Sequence, residues 1–232
     1  LIFLEIWGVN GIIFGYTLSL GVFVFLTYKA FQEGKIDFKL LKDRKNFILN
    51  SYGTHVLEVI SINIDKLIIF PMFGALILGP YQLGFQIFVV IMILPHIVTQ
   101  YTLPHDATGI KNKLLKNYTV IISGIMTGLT IILSPILIPI VFPKYIEAIE
   151  VIQIMGVALV PSALTLILPS ELLGKENSKS VILGVIVAIV TLVIGIIILG
   201  QNFGIIGLAI SLVIARILQC CTLLILKNRM IT

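Results

Sequence analysis

Seven apolar runs, each long enough to cross about 30 Å of hydrocarbon, constrain this chain more than any other feature. They cover roughly Leu1–Tyr28, Phe47–Phe70, Tyr81–Leu103, Tyr118–Phe142, Val151–Leu173, Val181–Leu199 and Phe203–Leu226. The bilayer core offers no hydrogen bonds to backbone, so a spanning segment must be a helix or part of a closed barrel. Barrel strands alternate in polarity, whereas these runs are apolar on nearly every side. The expected fold is therefore all-α: a polytopic membrane helical bundle of about seven transmembrane helices. Composition agrees, with 12% charged residues against about 25% in soluble domains.

Cations fix the expected direction. The connection between the first two runs holds Lys29, Lys35, Lys39, Lys42, Arg44 and Lys45. Lys111, Lys113 and Lys116 follow the third run, Lys175 and Lys179 the fifth, and Lys227 and Arg229 the last. These thirteen alternate consistently onto one side, while the other side has only Lys144. The positive-inside rule makes the basic side cytoplasmic. The chain is thus expected in the cell membrane, multi-pass, entering from outside and ending in the cytoplasm. That rule also accounts for most of the net charge of +5, which carries no argument for nucleic acid.

The chain divides in expectation into a first helix over 1–28, a basic cytoplasmic linker over 29–46, and a six-helix lobe over 47–232. It opens inside an apolar stretch without a signal-peptide pattern and reads as part of a longer protein. Metal-ligand spacing, a phosphate loop and a nucleophile motif are absent from the sequence, so no catalytic residue, metal or cofactor is expected. Cys220 and Cys221 are adjacent in an apolar run and read as small apolar side chains.

The second run carries a polar stripe. Ser51, Thr54, His55, Glu58, Asp65 and Lys66 fall within an arc of about 120° at about 100° per residue. Hydrocarbon does not solvate such a stripe, which must face a protein seam or a wet cavity. Ionisable groups at membrane depth cost about 2.5–3.5 kcal/mol each on insertion scales, and they mark transport pathways. Counting about 1.5 Å per residue from Phe47 puts Glu58 near the midplane and Asp65 with Lys66 near the outer rim. Arg216, in the last run, lies at the depth of Glu58. Two roles follow for it: a salt bridge to Glu58, or a cavity-facing guanidinium for a phosphate-bearing substrate. Glu58, with His55 one turn away, is a candidate site for a coupling Na+ or H+. Asp65 and Lys66 read as interface anchors or as an outer gate pair. His96, after Pro95, either bonds the carbonyl that proline frees or lines the cytoplasmic entrance. Pro135, Pro139, Pro161 and Pro169 predict helix bends.

Two segments repeat. Trp7-Gly8-Val9-Asn10-Gly11-Ile12 and Phe203-Gly204-Ile205-Ile206-Gly207-Leu208 both read aromatic-Gly-x-x-Gly-aliphatic, start on the outside and run to a cytoplasmic lysine. Parallel repeats about an axis along the membrane normal are a transporter device. The first helix then closes one lobe, and the six that follow form the second.

Further segments carry a resemblance. These are Ile64-Asp65-Lys66-Leu67-Ile68-Ile69 with Leu78-Gly79-Pro80-Tyr81-Gln82-Leu83-Gly84, Pro139-Ile140-Val141-Phe142-Pro143-Lys144-Tyr145, Leu172-Leu173-Gly174-Lys175, and Phe203-Gly204-Ile205-Ile206-Gly207. In order and spacing the chain resembles the multidrug/oligosaccharidyl-lipid/polysaccharide exporter superfamily, and within it the polysaccharide-biosynthesis (repeat-unit flippase) branch. Pro143 replaces the branch's usual Gly, and Pro80 is atypical before the Tyr. The resemblance implies a protein of twelve or more helices in two six-helix lobes, of which this chain holds helices six to twelve.

The expected function is a flippase that moves a lipid-linked oligosaccharide across the cytoplasmic membrane by alternating access. Its pathway residues would be His55, Glu58, Asp65, Lys66, His96 and Arg216. Its partners would be the bilayer, the lipid-linked sugar and the missing N-terminal lobe. A cation-coupled multidrug exporter of the same fold is the alternative. An integral membrane glycosyltransferase is a third reading, opposed by the scarcity of clustered carboxylates in the loops.

Overall fold

A computed structural model describes residues 2–33, 45–107, 113–173 and 177–229, and within the helices some side chains, His55 and Glu58 among them, lie outside the described set. The basic linker over 34–44 lies outside it as well. The described residues are helical throughout except for short turns, and no strand occurs among them. Contacts divide the chain into two units, Leu1–Ile48 and Leu49–Thr232.

In the first unit α1 covers Ile2–Glu33 and breaks its helical path at Gly8, where φ is 58° and ψ is −137°. Only glycine adopts such angles without strain, because a Cβ would collide with the neighbouring backbone. The Trp7 and Phe14 rings meet edge to face, 5.3 Å apart.

The second unit holds nearly all of α2 (Lys45–Ala107), then α3 (Lys113–Val141), a 3-10 turn (Pro143–Tyr145), α4 (Ala148–Val157), α5 (Leu159–Leu173) and α6 (Ser178–Asn228). A straight helix of 63 residues would reach about 95 Å. Yet Tyr81 hydrogen-bonds to Asp65, sixteen residues earlier, at 2.8 Å. The chain therefore reverses between them, at Gly74 with φ 77° and ψ 177°. It reverses again within α6 at Gly204, with φ 57° and ψ −135°. The two α6 legs close on small residues: a Cβ at Gly195 would lie 2.7 Å from the Ser211 side chain. The apolar runs leave a connection over 71–80 and another over 200–202, with Gly204 inside the last run. In the structure one glycine suffices, because its φ is free to turn positive.

Three helices among the described residues are long and apolar enough to cross a membrane, or four if the bent pair α4–α5 counts as one span. That pair meets at 43°. Pro161, early in α5, has no N–H to bond the Val157 carbonyl, which accounts for the bend expected there.

Pro135 has a different remedy. Its missing N–H leaves the Ile131 carbonyl without its helical partner. Gln153 of α4 reaches across and donates its Nε2 to that oxygen at 3.0 Å. The sequence shows the proline, but not the amide that compensates for it.

The main core joins α2, α4, α5 and α6 through Ile69, Tyr81, Phe85, Met155, Leu159 and Leu208, all buried. A smaller core joins α5 and α6 through Leu168, Leu172, Val181 and Leu223. Adjacent helix positions are about 100° apart, so Cys220 is buried while Cys221 is exposed.

Candidate functional site

The Gly74 reversal places the two α2 legs side by side and builds a charged centre between them. Asp65, on the first leg, is 1% exposed. Its Oδ2 accepts from the Tyr81 hydroxyl of the second leg at 2.8 Å. Its Oδ1 accepts from the Lys66 backbone N–H at 2.8 Å and from Lys66 Nζ at 3.1 Å. Lys66 Nζ also donates to the Ile62 carbonyl at 2.6 Å and lies 3.9 Å from the centre of the Phe85 ring. Such a position over an aromatic face is favourable for a cation. Both carboxylate oxygens are thus engaged, as burial of an ion requires.

Beside Asp65 lies a cavity of about 10 Å3, closed by Ser61 and Phe85 of α2 and by Leu212 and Arg216 of α6. That is room for about one water. Arg216 is half-buried, donates its Nη1 to Gln219 Oε1 at 3.0 Å and lines the same cavity as Asp65. Two cations therefore converge on one carboxylate.

Asp65 is buried, which does not suit the interface anchor expected of it. The first leg continues past Phe70 to Gly74, which carries Asp65 about 13 Å inward of the turn. Arg216 lies about 18 Å inward of Gly204 on the same count. Asp65 is a core residue rather than an anchor. It is Asp65 whose cavity Arg216 shares; the side chain of Glu58, the expected partner, lies outside the described residues, as does that of His55. His96 is exposed. It sits fifteen residues beyond Tyr81, about 22 Å along the second leg, and takes no part in the cavity.

Two participants were missed. Tyr81 stands sixteen residues from Asp65, and nothing local links them. Ser61 is one helical turn before Asp65, and that i,i+4 spacing was a usable signal.

A second charged centre was also missed. Glu171 of α5 accepts from Lys116 Nζ of α3 at 3.1 Å through Oε1, and pairs with Lys227 of α6 at 2.6 Å through Oε2. One carboxylate so ties the ends of three helices together. Sequence reading counted both lysines as topology markers only. Glu171 is the sole acidic residue of the apolar run Val151–Leu173, which was the available signal. Among the described residues no group of three metal-binding side chains converges.

The chain matches no protein-family model, no curated protein and no solved structure.

Proposed function

We propose that this chain is part of a membrane flippase that carries a lipid-linked oligosaccharide across the bilayer by alternating access. The observation that carries the reading is the surplus of positive charge around Asp65, where Lys66 and Arg216 face a single carboxylate. A charge set of this sign suits the diphosphate of a lipid-linked sugar, and a guanidinium binds phosphate well. A cation-coupled multidrug exporter would want a free carboxylate, and both oxygens of Asp65 are already engaged by Tyr81 and Lys66.

Seven spans belong to the same proposal. The reversals at Gly74 and Gly204 turn α2 and α6 into two legs each. With α3, the bent α4–α5 pair and α1, the proposal counts seven segments, in the alternation that the lysine pattern leads one to expect. The two-lobe arrangement draws support from Gly8 and Gly204. They hold the same place in the repeated motif and have matching angles, φ 58° with ψ −137° and φ 57° with ψ −135°. Bundles related in this way can rock about a central site.

The test uses the full-length protein in its own cell. Arg216→Ala and, separately, Asp65→Asn should each abolish most surface polysaccharide while protein remains in the membrane. Normal output from both variants would remove this centre from the transport path.

A further inference from the structure

A second cavity, of about 360 Å3, is far larger than the first and has no charged residue in its lining. It runs along one face of α3 from Met126 through Leu133 to Val141, and is completed by Ile87 and Ile91 of α2 and Ile152 of α4. The α3 positions recur at three and four residues, the period of a single helical face, and extend about 22 Å. Nothing in the lining is charged. Its two hydroxyls are turned back on α3 itself, Thr130 to the Met126 carbonyl at 2.7 Å and Ser134 towards the Ile131 carbonyl at 3.5 Å. A polar ligand would lose its water there and gain no hydrogen bond, whereas a hydrocarbon chain loses nothing. The length is about three-quarters of the hydrocarbon thickness, which fits one extended acyl chain.

The mouth is different. Val141 and Phe142, at the end of the groove, run directly into Lys144, Glu147 and Glu150, all exposed and set on the 3-10 turn and the start of α4. One cation beside two carboxylates complements a headgroup carrying both a phosphate and a primary ammonium. Phosphate would face Lys144, and the ammonium would face the two glutamates. A headgroup with no cationic end would meet net repulsion, and a trimethylated one could not donate hydrogen bonds to a carboxylate.

We infer that this groove is a binding site for an aminophospholipid, with one acyl chain along α3 and its phosphoethanolamine headgroup at Lys144, Glu147 and Glu150. The groove shares no lining residue with the Asp65 cavity and does not depend on the transport reading. It requires only that the helices be in a membrane.

Native mass spectrometry of the purified full-length protein tests it, with phosphatidylethanolamine, phosphatidylcholine and phosphatidylglycerol of identical chains added in turn. Exposed ion pairs are worth about 0.2–1 kcal/mol each, so the ethanolamine lipid should bind about 1.4- to fivefold more tightly than the glycerol lipid, and more tightly than the choline lipid through the N–H donors that a trimethylated ammonium lacks. Glu147→Gln with Glu150→Gln should erase that preference and lower the melting temperature only slightly, through the loss of two exposed charges at the α4 N-terminus. Leu133→Trp, which fills the groove from a partly exposed position, should lower retention of all three lipids. Equal binding of the three headgroups by the unaltered protein overturns the inference, as does retention unaffected by Leu133→Trp. A dimer that dissociates in Leu133→Trp would give the groove to a second copy of this chain and overturn it likewise.

Discussion

The Tyr81 hydroxyl and the Asp65 carboxylate meet at 2.8 Å across the Gly74 reversal, and both residues are essentially inaccessible. A hydrogen bond to a charged group contributes about 1.5–3 kcal/mol. Tyr81→Phe keeps the ring and its packing but removes the donor. It should lower the melting temperature in detergent, by a free-energy loss within that range. A melting temperature equal to that of the unaltered protein would mean the carboxylate finds another donor.

Gly204 holds a conformation that side-chain-bearing residues enter only with strain of about 1–3 kcal/mol. Gly204→Ala should destabilise the second unit by about that amount, although open space surrounds the missing Cβ. Gly195→Ala should also destabilise, for a different reason: its Cβ would press on Ser211 at 2.7 Å. Pairing the latter change with Ser211→Gly should recover part of the loss, while no neighbour substitution should rescue Gly204→Ala. Chemical denaturation in mixed micelles separates the two behaviours.

Gln153 and Pro135 form a reciprocal pair. Gln153→Leu leaves the Ile131 carbonyl without its cross-helix donor, and helix–helix hydrogen bonds of this kind in membranes average about 0.6 kcal/mol. Pro135→Ala restores a backbone N–H to the same carbonyl. The double variant should therefore be more stable than Gln153→Leu alone. Additive destabilisation by the two substitutions would contradict the account.

Glu171 should show the asymmetry of a shared carboxylate. Glu171→Gln removes the counter-charge of Lys116, whose side chain is only 8% exposed, and of Lys227. Glu171 itself is 29% exposed, so solvent screens part of the effect and a loss of about 1–2 kcal/mol is expected. Lys227→Met should cost less than Glu171→Gln, because Lys116 keeps its partner. A thermal-shift comparison of Glu171→Gln with Lys227→Met decides it.

The sequence by itself determined the all-helical class, through apolar runs too uniform for strands and too long for a soluble core. It also marked Gly8 and Gly204 as special through a shared motif, and it singled out Asp65, Lys66 and Arg216 as costly charges within apolar runs. Those conclusions rest on local facts: hydrophobicity, spacing and residue type. Which charges meet is not a local fact. Asp65 finds Tyr81 only because Gly74 sends the chain back on itself, and Arg216 comes to the same cavity only through the packing of α6 against α2. Lys116, Glu171 and Lys227 lie on three helices, each at least 55 residues from the next in sequence. In a low-dielectric interior an ion is stable only beside its partner. Partners there are chosen by turn angles and helix phase, and a turn set by a single glycine brings Asp65 and Tyr81 together in the core.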